Sequence, residues 1–323
     1  MKIVKSLFYL LKYFEYFMIF FMVSNNIRSQ KQIKVFTFFI ILTAVLAGLY
    51  GLHTARELGR ASAPFDRIEG ASGEPNTLGG YLLFICALLL GLLLHNNNPA
   101  YIVSLGAVVS LVFYAMLQTL SRGSYLGFLG MLLPLMILTT RKKLLLVLTV
   151  AFLLVSAPTL LPKRVISRIN ETFIPLRSQE PFGKTRIVLD ESATNRVESW
   201  KLVLQQWKNS PILGYGVTGM GLVDTQYPLV LGEAGMIGLV IFIWLLATIY
   251  RNSVWIYQTR QDNFTRGLCL GYICGFVGLL LHSFSAATFI IVRIMEPFWF
   301  VTAMVMMLPE VEEGKPALTP INS

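Results

Sequence analysis

The chain alternates long apolar runs with short polar breaks, and one polar interval is far longer than the rest. Crossing about 30 Å of hydrocarbon takes roughly 20 apolar residues of helix. Runs of that kind lie at about 4–23, 33–52, 77–95, 100–120, 123–140, 143–161, 228–250, 267–287 and 290–308. The pattern predicts an all-α, polytopic integral membrane protein of about nine transmembrane helices. It divides into a six-span part (1–161), a long external loop (162–227), a three-span part (228–309) and a cytoplasmic tail (310–323). The first run resembles a signal peptide, but Lys12 and Glu15 interrupt it and no small-residue cleavage site follows, so it reads as a span.

The positive charges orient the bundle. Arg28, Lys31 and Lys34 fall between the first two runs; Arg141, Lys142 and Lys143 between the fifth and sixth; Arg251, Arg260 and Arg266 between the seventh and eighth. Strict alternation places all three clusters on one side, the cytoplasmic one, and the long interval on the other. It also places Met1 outside, against the preference of Lys2 and Lys5. Upstream spans supplied by a second chain would remove that conflict.

Composition sharpens this picture. Charged residues make up 14% of the 323 positions and hydrophobic ones 55%, too apolar for a soluble domain of this size. The net charge of +10 sits in clusters beside apolar runs, a membrane pattern rather than a nucleic-acid one. Cys86, Cys269 and Cys274 all lie inside apolar runs without a CxxC, which argues against a disulfide framework or metal site. No motif calls for a cofactor.

Polar groups that could do chemistry gather on the external side. Ser121-Arg122-Gly123 joins two spans with almost no loop. An interfacial Arg commonly snorkels, but one beside a glycine can also bind phosphate bidentately. In the long loop, the pattern predicts an amphipathic helix over 195–209, capped by Asn195, with Trp200 and Trp207 at the membrane surface. Arg196 would then lie in its first turn beside free N–H groups, a pairing suited to pyrophosphate. Gly214-Tyr215-Gly216 with Gly219-Met220-Gly221 spells a dinucleotide-like pattern, but no strand precedes it, so a close-packed loop is the reading. Asp224 stands at the mouth of the seventh span, with Glu233 about two turns further in. An acid there can cap the helix, pair with a basic residue, or serve as general base. His282 ends the eighth span near the same face, and Arg293 with Glu296 forms an i,i+3 pair on the ninth.

With these residues in view, the chain resembles the O-antigen ligase/O-antigen polymerase superfamily of bacterial polysaccharide enzymes. The resemblance rests on ordered motifs: Leu11-Lys12-Tyr13-Phe14-Glu15-Tyr16 before Asn25-Asn26-Ile27-Arg28, Pro75-Asn76-Thr77-Leu78-Gly79-Gly80-Tyr81, Ser121-Arg122-Gly123, Arg196 with Trp200, Pro211-Ile212-Leu213-Gly214-Tyr215-Gly216, and Tyr227 with Glu233, Gly235 and Gly238. It implies an inner-membrane enzyme that takes glycan from an undecaprenyl-pyrophosphate carrier at the periplasmic face. An acceptor glycan or lipid hydroxyl attacks with inversion, and no cofactor or metal is required. Arg122 and Arg196 match positions where the family places arginines, and Asp224 completes the expected catalytic set. The expected substrate-binding set is Arg186, Asn76, Trp200, Tyr227, His282 and Arg293. Ligases of the family carry a His nine residues before the Glu; Asp224 occupies that position here, which favours a polymerase-type or exopolysaccharide reading. The family also begins with more spans than this chain shows. The competing readings are a transporter or flippase component, which would show broken helices and midplane charges, and a structural subunit of a membrane assembly.

Overall fold

The computed structural model describes residues 2–58, 73–139, 143–170, 173–176, 186–189, 191–221 and 223–312. The described residues are helical almost throughout: α1 (Lys2–Asn26), α2 (Gln30–Leu58), α3 (Pro75–His95), α4 (Pro99–Gln118), α5 (Arg122–Leu138), α6 (Lys143–Leu160), α7 (Lys163–Asn170), α8 (Glu191–Trp207), α9 (Gln226–Thr259), α10 (Asn263–His282) and α11 (Val292–Glu312). Each of the nine apolar runs is helical, that of α9 with a break described below, and seven of the described helices are long and apolar enough to cross a membrane.

One element was not expected. Within the long loop, β1 (Phe173–Leu176) pairs antiparallel with β2 (Arg186–Leu189), Phe173 opposite Leu189 and Leu176 opposite Arg186. The all-α expectation is corrected to that extent. Both strands are short apolar runs, and in a two-stranded ribbon Pro175 can face an open edge, where its missing N–H costs nothing.

The bundle is built around α3 and α10. Their apolar windows are 78% and 72% buried, against 11% for α1, which packs mainly along α11 at the perimeter. Close approach of α3 to α10 requires small residues at the crossing, because apolar side chains gain little from leaving lipid and packing contacts decide the interface. A Cβ on Gly271 would stand 2.6 Å from Leu88 Cα, so the two backbones nearly touch. Around the crossing, Tyr272 stacks on Phe276 and Phe298, and its hydroxyl shares a 2.7 Å hydrogen bond with Thr302, which keeps a polar group satisfied within the apolar bundle. All three cysteines are buried.

The far end of the bundle carries the basic residues. Gln30 Nε2 donates to Asp262 Oδ2 at 2.8 Å, and the Tyr257 hydroxyl donates to the Leu138 carbonyl at 3.0 Å, so the α1–α2, α5–α6 and α9–α10 connections share this end. The seventh span runs further than its apolar pattern suggests: α9 continues to Thr259, so Arg251 lies on the helix rather than in a loop. At the opposite end, the starts of α3, α5, α9 and α11 converge with α8.

Candidate functional site

The α4–α5 connection is a tight turn. Leu120 takes φ 51, a left-handed conformation that costs a non-glycine residue about 1 kcal/mol or more. That turn delivers Ser121 to the N-cap of α5, where its Oγ accepts from Ser124 N–H at 3.4 Å and donates to Asn76 Oδ1 at 2.9 Å. Arg122 is therefore the first residue of α5, half-buried, where the helix dipole already favours anions. Gly123 is there for want of room: a Cβ would collide with the Ser285 side chain and come within 3.2 Å of His282 Cδ2. On the facing side, a Cβ on Gly80 would lie 2.7 Å from Ile294 Cδ1 and 3.1 Å from His282 Cε1. α3 and α5 thus close over His282, which is fully buried and shares a 2.8 Å hydrogen bond with the Thr288 hydroxyl through Nδ1. His282 is a hub of the bundle end and does not line the cavity described below, contrary to its expected place in the substrate-binding set.

The amphipathic helix of the long loop is present, with its start displaced. α8 opens at Glu191, so Asn195 sits inside it and does not cap it. Arg196 belongs to the second turn, and the free N–H groups of the first turn lie upstream of it. Ser192 and Thr194 tolerate helix well enough that packing, rather than capping preference, fixed the boundary. That packing is visible: Val203 is 1% exposed against Val223 and Leu229, and Trp200 stacks on Phe284 at 6.3 Å and 10°. Phe284 also touches Tyr227 at 4.7 Å, and the Tyr227 hydroxyl donates to the Leu280 carbonyl at 2.7 Å. Trp200 and Tyr227 are thus engaged in docking α8 and α9 on the end of α10, and neither lines the cavity. One turn before Trp200, Arg196 does line it, within electrostatic reach of His282.

The next segment resolves the Pro-Ile-Leu-Gly-Tyr-Gly motif. α9 is interrupted at Gly235, whose φ 65 and ψ −164 are open essentially to glycine alone. The polar groups freed by the break are met by the main chain of 211–216. Tyr215 N–H donates to Gly232 O at 2.9 Å and Gly216 N–H to Glu233 O at 2.8 Å, while Met236 N–H donates to Pro211 O at 2.9 Å and Ile237 N–H to Ile212 O at 3.3 Å. Gly214, at φ 68, stands so close that a Cβ would lie 2.6 Å from Gly232 O. The motif is a main-chain plug for a broken helix. Immediately beyond it, Thr218 turns at φ 65, and its N–H donates to Glu233 Oε1 at 2.6 Å. Ser6 of α1 completes the connection, donating to Val217 O at 2.9 Å and sharing a 2.7 Å hydrogen bond with the Thr218 hydroxyl.

Between these elements lies an open cavity of about 410 Å³. Arg196, Asn76 and Asp224 line its wall, Asp224 on the exposed rim. Arg122, at the start of α5 between Ser121 and Gly123, does not line the cavity. Arg293 is exposed on the first turn of α11 and does not line the cavity; Glu296, expected to pair with it, lies within electrostatic reach of Glu15 of α1. Arg186 faces Leu176 across the ribbon, and its side chain lies outside the described residues. The cavity also holds Tyr9, Glu74, Ser192, Glu233 and Ser285, none of them in the expected site. Glu233 carried a signal, as an acid within an apolar run; Tyr9 carried none, because an aromatic residue in an apolar helix reads as lipid-facing.

The wall therefore offers an arginine beside the starts of α3 and α5, able to hold an anion, and carboxylates able to accept protons or sugar hydroxyls. Among the described residues, no group of three or more His, Cys, Asp or Glu is placed to hold a metal ion. Residues 107–243 match the family model described as O-antigen ligase, a stretch running from the middle of α4 through α5 and α8 into the second half of α9. No curated protein matches the chain.

Proposed function

Proceeding from this chain's membership of the O-antigen ligase/polymerase superfamily, carried by residues 107–243, we propose that it is a lipid-linked-sugar-dependent glycosyltransferase of the bacterial inner membrane. It transfers glycan from an undecaprenyl-pyrophosphate carrier to an acceptor hydroxyl at the periplasmic face, with inversion. The observation that carries this reading is the position of Arg196. α8 lays it on the wall of the cavity that Asn76 and Ser285 also line, and Asn76 accepts from Ser121 in the turn before Arg122. The basic residues at the far end of the bundle support an external location for the cavity.

The acceptor oxygen attacks the anomeric carbon, the bond from that carbon to the pyrophosphate oxygen breaks, and its electron pair leaves with the pyrophosphate. Arg196 stabilises the departing charge directly, with Arg122 and the start of α5 behind it. Loss of one such contact costs about 10²–10³ in rate. Asp224, on the rim, takes the acceptor proton. Because Asp224 stands where family ligases carry a His, polymerisation of polysaccharide is favoured over ligation to lipid A core.

One feature speaks for the transporter alternative: α9 is broken beside an ionisable residue, Glu233, as substrate-binding transporter helices are. The plug of 211–216 occupies the freed backbone groups, however, so they are not available to a passing ion. Arg122→Ala and Arg196→Ala are expected to abolish long-chain polysaccharide while the protein remains inserted and abundant. Gels of surface polysaccharide and of lipid-linked intermediates separate the readings: single repeats indicate a polymerase, long chains held on the carrier a ligase, and cytoplasm-facing intermediates a flippase. Normal chain length in both variants would refute the catalytic role.

A further inference from the structure

The cavity has two chemically unlike ends. At the α10 end, the wall carries Arg196, Asn76 and Ser285, with Glu74 held by the Thr77 hydroxyl at 2.8 Å. At the α1 end, the wall is made by Tyr9, Thr218 and Glu233. The second end is tied together by hydrogen bonds. Glu233 is 8% exposed and anchored by the Thr218 N–H, and Thr218 is tied to Ser6. Tyr9 lies three residues beyond Ser6 on the same helix face, with Lys12 Nζ 5.0 Å from its ring centroid. Among the described lining residues Arg196 is the one cation, so it offsets Glu74 at the first end, whereas the anchored Glu233 carboxylate at this end repels a phosphoryl group. This end suits a saccharide: a carboxylate accepts hydroxyl protons, and an aromatic ring packs on the C–H face of a sugar. The volume falls within the ~300–1,000 Å³ that holds a small organic ligand.

We propose that the Glu233–Tyr9 end is the acceptor subsite, binding a neutral or amino-bearing sugar whose hydroxyl attacks, while pyrophosphate is confined to the Arg196 end. The assignment rests on the glycosyl-transfer reading above and adds a specificity to it: Glu233 disfavours acceptors that carry a carboxylate on the bound ring. Glu233 is also the one cavity acid whose position is dictated by a broken helix, so the break serves to bring a carboxylate to the wall.

The test uses the full chain in lipid nanodiscs and two probes: inorganic pyrophosphate, and repeat-unit oligosaccharides released by mild acid from the host strain's own surface polysaccharide. Titration calorimetry of Tyr9→Ala and Glu233→Gln is expected to show oligosaccharide binding weakened at least tenfold and pyrophosphate binding within twofold of the parent. Arg196→Ala is expected to show the reverse. Glu233→Gln retains an oxygen for the Thr218 N–H, and an unchanged elution profile and melting temperature confirm that the variant is folded. Oligosaccharide binding that is absent in the parent, or unchanged in both the Tyr9 and Glu233 variants, overturns the subsite. Pyrophosphate binding indifferent to Arg196→Ala, with the saccharide results as expected, overturns the donor reading alone.

Discussion

Replacing Gly235 by alanine tests the plugged helix directly. The native φ 65 and ψ −164 lie outside the range of an L side chain, which costs about 1–3 kcal/mol if the backbone holds. It cannot hold, because the new Cβ would run into the main chain at Ile212 O and Gly214 N, neither of which can swing aside as a side chain would. The plug must lift, giving up the four pairings made by Tyr215, Gly216, Met236 and Ile237 N–H. At about 1 kcal/mol net for each, that costs roughly 4 kcal/mol. A loss of about 4 kcal/mol is a large share of a typical stability of about 5–15 kcal/mol. The expected result is a markedly lower melting temperature in nanodiscs, new protease cleavage within 217–223, and loss of long-chain polysaccharide. Gly214→Ala should behave in the same way, and the double variant should cost little more than either single one, because the first change has already raised the plug. A cost below about 1 kcal/mol for Gly235→Ala, or full additivity in the pair, would refute the plug.

Three further outcomes follow from the site. Gly123→Ala should abolish polysaccharide elongation by driving its Cβ into Ser285, and Gly123→Ala with Ser285→Gly should recover at least part of it, read as chain length on gels; an unrescued double variant would place the role of Gly123 elsewhere. Asp224→Asn should lower the transfer rate about 10²-fold or more with the acceptor KM little changed, measured in proteoliposomes; an unchanged rate would reassign Asp224 to capping. Trp200→Ala should lower activity by loosening α8 from Phe284, with Trp200→Phe close to the parent; equal losses in both would point to a direct substrate contact for the indole.

Much of the architecture was legible because membrane crossing leaves a strong signature. Nine apolar runs correspond to nine long helices among the described residues, and the alternation of basic loops anticipated which connections share an end. What escaped was set by packing between distant segments. The start of α8 lies upstream of Asn195, at Glu191, where the capping pattern gave no mark of it. The interruption of α9 was invisible because Gly235 lies in a run whose composition is that of a continuous span, and because its complement, 211–216, reads as an ordinary glycine-rich turn. Arg196, Asp224 and Asn76, which line the cavity, drew attention in the sequence because polar groups in an apolar chain are conspicuous. Trp200, Tyr227 and His282 were conspicuous too, but they brace the bundle end instead of lining the cavity. Aromatic and imidazole groups near a site hold elements together as readily as they hold ligands.

The order of the plug and its helix along the chain bears on how the protein is made. Residues 211–216 leave the ribosome before Gly235 does, and a loop of about 20 residues joins them, short enough to close at little entropic cost. The unpaired backbone groups at the break can thus find partners as soon as the segment is synthesised, without waiting for α10 or α11. A gap in the hydrogen bonding of a spanning helix is expensive in lipid, and here its partners come from the helix's own upstream neighbour, close in the chain.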